Sequence, residues 1–179
     1  MLTVLRREEK YPLFLLDAHR IAAKFSQLLL PDPHSPGMAY PVRSLYFDTL
    51  DDKDFFDKLT EQNLRRKVRL RIYSPDAQTA KLELKQKENI FQRKRSLVIR
   101  REDAQALIQG DFSVLLRYEE DFAGELFGLM TRECYRPKSI VEYDRLAFMA
   151  RENNIRLTFD SAIRATESKI GRASCRERV

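Results

Sequence analysis

The chain is short of the residues that build the commonest catalytic and metal sites. Its 179 residues include two cysteines, Cys134 and Cys175, and two histidines, His19 and His34. The cysteines give neither a disulfide framework nor zinc spacing. The histidines lie far in sequence from any candidate partner, which argues against a histidine-based metal or nucleophile site. Five glycines, none of them clustered, leave no Walker loop and no GxGxxG, and no catalytic triad is visible. No apolar run approaches the roughly 18 residues of a membrane-crossing helix. The opening residues, MLTVLRREEKY, do not form a secretory signal segment, so the expected location is the cytoplasm. With 43% hydrophobic and 34% charged residues, the composition fits neither a membrane protein nor a disordered chain. The length suits one domain with a real core.

What the chain has in quantity is positive charge laid out at period two. From residue 65 to 71 every odd position is basic: Arg65, Lys67, Arg69 and Arg71. Leu64, Val68, Leu70 and Ile72 occupy the even positions, with Arg66 the one exception. This alternation predicts a strand with one apolar and one cationic face. Same-face neighbours on a strand lie about 7 Å apart. Like charges at that spacing repel by roughly 2 kcal/mol per pair at an effective dielectric near 20. An ordinary solvated face mixes signs, whereas four cations in a row suit a polyanion lying along them.

Other segments repeat the arrangement. Lys81, Glu83, Lys85 and Lys87 alternate with Leu82 and Leu84, and Arg93 and Arg95 are expected to share a face. Arg6, Glu8 and Lys10 alternate near the N-terminus, as do Arg156, Thr158 and Asp160 late in the chain. Any one of these is an unremarkable half-exposed antiparallel strand. Five together point to a shared anion site, built from side chains because no glycine-rich loop is present.

The expected elements are strands at about 3–11, 42–48, 64–73, 79–88, 90–99, 139–149 and 153–166. Helices are expected at about 17–29, with Asp17 as N-cap, and at 51–62, with further helix within 101–135. The segment 31–41 is rich in breakers and reads as a loop. The fold class is α+β. An antiparallel sheet curls toward a barrel with charge inside, and the helices pack on its apolar exterior.

Residues 170–179, IGRASCRERV, back-translate to a string that looks like a common sequencing adapter read in frame. The other reading is a genuine basic C-terminus. On the adapter reading, the net charge of +6 falls to +4 for residues 1–169, and the reading frame is a fragment ending near Lys169.

Several ordered segments carry a family resemblance. They are Arg6-x-Glu8-x-Lys10-Tyr11, SLYFDT at 44–49, RKVRLRIY at 66–73, LELKQK at 82–87, RKR at 93–95, VEYDRLAF at 141–148 and IRLTFD at 155–160. Together they resemble the VTC domain, the polyphosphate polymerase domain of vacuolar transporter chaperone proteins and their bacterial relatives. That family belongs to the triphosphate tunnel metalloenzymes, whose antiparallel barrel encloses a basic tunnel. The resemblance implies transfer of the ATP γ-phosphate to a polyphosphate chain, assisted by Mg²⁺ or Mn²⁺. It implies catalytic roles for Arg69, Arg71 and Lys85. Substrate contacts would come from Lys10, Arg93, Arg95, Arg145 and Arg156. Glu8 and Glu83 would be metal contacts, or alternatively ion-pair partners that hold neighbouring arginines. Relatives continue with closing strands, a metal-binding glutamate and terminal lysines. None of these is found here, so the tunnel is expected to be incomplete and this chain by itself inactive.

The expected partners are ATP and polyphosphate, with no membrane span and no nucleic acid. The basic faces of 64–73 and 79–88 hold one aromatic, Tyr73, where nucleic-acid binders interleave several for base stacking. Two other functions use the same cations: hydrolysis of a triphosphate or other phosphoanhydride, and polyanion binding without catalysis.

Overall fold

The computed structural model describes residues 4–5, 8–33, 37–88, 91–153 and 155–167. Among these residues, eight strands make one antiparallel sheet: β1 (Val4–Leu5), β2 (Leu30–Pro31), β3 (Tyr40–Asp48), β4 (Leu64–Ile72), β5 (Thr79–Glu88), β6 (Phe91–Arg100), β7 (Arg136–Met149) and β8 (Arg156–Glu167). The order runs β1-β6-β5-β4-β3-β7, with β2 and β8 both paired to β7. The sheet curls into an open half-barrel. Among the described residues, its edge strands β1 and β8 do not pair with each other.

Among the described residues, four α-helices accompany the sheet: α1 (Leu15–Leu28), α2 (Lys53–Leu59), α3 (Arg101–Ile108) and α4 (Asp121–Arg132). The expected helical stretch 101–135 is broken in two places. Gly110 takes a φ of +90° just after α3, a conformation that glycine adopts without a Cβ clash. A 3₁₀ turn, Phe112–Arg117, then begins at Asp111, whose side chain accepts from the Ser113 amide at 3.1 Å.

The core lies on the convex side of the sheet. Leu45, Phe47, Val68, Leu70, Leu82, Leu84, Leu97 and Ile99 turn one face of β3 to β6 toward Leu107, Leu115, Phe122, Leu126 and Met130. Burying each such side chain stabilises the fold by roughly 1.5–3 kcal/mol. This contact fixes which way every odd residue of β4 and β5 points, because successive strand side chains alternate.

Asp48 closes the β3–α2 junction. Its carboxylate accepts from the amides of Thr49, Asp54 and Phe55 at 2.7, 2.9 and 2.9 Å, holding the otherwise unpaired donors at the start of α2. Arg66, the exception in the basic alternation, points to the convex side. It donates to Asp54 at 3.0 Å and to Glu133, while the Tyr135 hydroxyl donates to Asp54 at 2.6 Å. This cluster ties α2 to the end of α4.

Helix α1 departs from expectation. It starts at Leu15 with Phe14 at the N-cap position, not Asp17, and no residue of it is buried. Residues 168–179, including the segment read as adapter-derived, lie outside the described residues.

Candidate functional site: a cationic concave face

The concave face is assembled by strand register. Arg69 on β4 pairs across to Tyr46 on β3 and Glu83 on β5, and Arg71 pairs to Ser44 and Lys81. Lys67 pairs to Lys85, which pairs to Lys94 on β6. Beyond β3, Val42 pairs to Tyr143, Tyr40 to Arg145 and Arg145 to Asp160.

At the centre lies Glu83, with none of its surface exposed. Its carboxylate is paired with Arg69 and Lys94, and with Arg71 at 3.9 Å. Burial pushes its pKa up, but the charges of Arg69, Arg71 and Lys94 outweigh that and hold it below the usual carboxylate range. Glu83 therefore organises cations.

Hydroxyls fix the two guanidinium groups. Arg71 is buried and donates to Ser44 Oγ at 3.1 Å and Tyr143 Oη at 3.2 Å. Arg69 donates to Tyr46 Oη at 3.3 Å. The signal for these partners was the tyrosine at alternating strand positions. Aromatic strand residues usually pack, so the sequence alone does not separate the two roles.

The other expected site residues are placed as follows. Lys85 is paired with Glu8, and Glu8 also lies 3.6 Å from Lys10. Arg145 makes a bidentate pair with Asp160, both contacts at 2.7 Å, and its guanidinium sits 5.0 Å from the Tyr143 ring centroid. Arg156 donates to Tyr40 Oη at 3.0 Å and pairs with the buried Asp32 at 2.6 Å. Lys67 is different. Burial and the charges of Lys58, Lys10, Lys85 and Arg69 lower its pKa to about 8.

Arg93 and Arg95 are a correction. Arg95 pairs across to Leu84, a core residue, so it faces the helices. Its guanidinium lies 4.6 Å from the Phe122 ring centroid and pairs with Glu125 of α4. Arg93, two residues away, is on that same convex side. Lys94 takes the concave position between them. The segment 93–95 is basic throughout and gives alternation no phase. Leu97 and Ile99, both buried, carry the phase that places odd residues of β6 in the core.

The described carboxylates do not fit a protein-built metal cage. Among the described residues no group of three His, Cys, Asp or Glu side chains is positioned to hold a cation. Glu8 and Glu83 are each engaged by ammonium or guanidinium groups.

An antiparallel half-barrel with a cationic hollow and helices outside is the triphosphate-tunnel class of domain. The chain belongs to the VTC domain family, whose model matches residues 5–178. A crystal structure described as a "putative adenylate cyclase" from Bacillus halodurans has a similar fold, with a TM-score of 0.54 and 13% sequence identity. The similarity covers 94% of this chain and 80% of that one. No curated protein matches the chain in sequence. Family and fold together define a tunnel-type phosphoryl-transfer domain. No described helix is long and apolar enough to cross a membrane.

Proposed function

We propose that this domain is a polyphosphate polymerase, moving the ATP γ-phosphoryl group onto a polyphosphate chain with release of ADP. The observation that carries the reading is the row of Lys67, Arg69 and Arg71 beside Lys85 and Lys94, with Glu83 as the acid at its centre. Phosphoryl transfer asks the protein mainly to position reactants and to neutralise charge. Arg69 and Arg71 suit the equatorial oxygens of the transferring group, because a guanidinium fork matches phosphate geometry. Ser44, Tyr46 and Tyr143 hold those forks in place, so little reorganisation is needed as charge develops. Lys85 acts as a point charge on neighbouring phosphate oxygens. Lys10, Arg145 and Arg156 contact phosphates farther from the reacting group. A divalent cation, Mg²⁺ or Mn²⁺, would arrive with the nucleotide instead of on a protein-built site, and would add charge neutralisation to that supplied by these residues.

The test is to supply ATP, a short polyphosphate and Mg²⁺ or Mn²⁺, and to follow ADP and chain length together. ADP released in step with elongation supports the polymerase. ADP and free phosphate without elongation assigns the site to phosphoanhydride hydrolysis. Tight polyphosphate binding with no turnover, both in this chain and in one extended with the closing strands of a relative, assigns it to polyanion binding.

A further inference from the structure

Along the concave face the cations change in kind. Arg71 and Arg69 are held by hydroxyls and by Glu83. Next to them lies a row of a different type, Lys67, Lys85 and Lys94, abreast on three adjacent strands. Directly opposed side chains have Cβ atoms about 4.5–5.5 Å apart, close enough for like charges to destabilise the pairing. Lys94 is answered by Glu83 and Lys85 by Glu8. Lys67 has no carboxylate within ion-pair distance among the described residues, and Lys10 and Lys58 add to the positive field around it.

We propose that the concave face holds two phosphate subsites: an arginine section that fixes one phosphoryl group in orientation, and a lysine row that carries the rest of a polyphosphate chain as a movable polyanion. The proposal rests on the polyphosphate reading above. Four residues of strand separate Arg71 from Lys67, about 13 Å at the rise of a β-strand. Arg69 lies only about 7 Å from Lys67, and Lys94 shares Glu83 with both arginines. Lys67, at the far end, is therefore the cation that a short anion centred on Arg71 leaves unfilled and a longer chain reaches.

The two chemistries match two tasks. A reacting group must be held in one orientation, which pre-organised guanidinium forks do. A growing chain must advance by one unit per turnover. Every unit is alike, so its track needs charge without fixed register. An ammonium on a flexible stem, with three rotatable donors, supplies that. The unbalanced charge at Lys67 is what an arriving polyanion neutralises.

The experiment titrates tripolyphosphate, and a linear polyphosphate long enough to span both sections, into the wild type and Lys67→Gln at one salt concentration. Lys67→Gln should weaken the long chain about tenfold, the worth of one charge-assisted hydrogen bond. It should change tripolyphosphate affinity by less than about twofold. Arg71→Lys should weaken both anions. Thermal unfolding of Lys67→Gln should show no loss of stability, since the change removes a repelled cation. Equal weakening of both anions by Lys67→Gln, or of neither, overturns the division while leaving the polyphosphate reading standing. A wild type that binds neither anion overturns that reading and the division with it.

Discussion

Lys94 and Arg95 are consecutive residues that act on opposite sides of one strand. Lys94 neutralises Glu83 in the concave face, and Arg95 lies over the Phe122 ring beneath the helices. Arg95→Ala should cost about 1–2 kcal/mol through lost packing and cation–π attraction, with polyphosphate affinity unchanged. Lys94→Ala should weaken polyphosphate binding. Denaturant midpoints and anion titrations on the two variants check this. A larger loss of binding in Arg95→Ala than in Lys94→Ala would reverse the assignment.

Arg71→Ala should lower the rate of phosphoryl transfer by about 10²–10³, or 3–4 kcal/mol, if the guanidinium acts as a pre-organised charge donor. Arg71→Lys should recover only part, because lysine keeps the charge and loses the fork. Turnover measured beside substrate affinity distinguishes the two effects. Wild-type turnover in Arg71→Ala would remove Arg71 from the site.

Glu83 is the acid on which the central cations converge. Glu83→Gln leaves Arg69, Arg71 and Lys94 facing one another without it, and should cost about 3–5 kcal/mol, as breaking a buried ionic cluster does. Because the folded pKa of Glu83 is held down, its stabilisation is fully present above the usual carboxylate range. It is lost as pH falls through the lowered value. Added tripolyphosphate should raise the melting temperature more in Glu83→Gln than in wild type. Equal shifts would mean that the carboxylate does not balance these cations.

Lys67 gives a pH dependence of the opposite kind. Its pKa falls from the usual 10.5 to about 8 in the folded protein. Between those values the unfolded chain holds a proton that the folded protein has released, so stability rises with pH across that window. Below pH 8 the lysine is charged in both states and its repulsion is fully felt. Lys67→Gln should therefore be more stable than wild type below pH 8, and flatter between 8 and 10.5. Urea unfolding on both sides of pH 8 measures this, and parallel profiles for the two proteins would refute it.

Local pattern in the sequence determined much of this protein. Period-two alternation in 64–73 and 79–88 sorted residues by face, since neighbouring side chains on a strand point to opposite sides. The apolar partners Val68, Leu70, Leu82 and Leu84 all proved buried. The same logic failed at 93–95, where three basic residues in succession carry no phase. Packing of Leu97 and Ile99 against the helices set the register there. Asp48 shows the same limit from another side. The sequence places it only at the end of the expected strand 42–48, whereas the structure makes it a buried cap for α2. Which hydroxyl meets which guanidinium, and that Glu83 gathers three cations, were decided by residues 11 to 72 positions apart meeting at one register. The residues of one strand dictate its two faces, but the partner facing each side chain is a property of the assembled sheet.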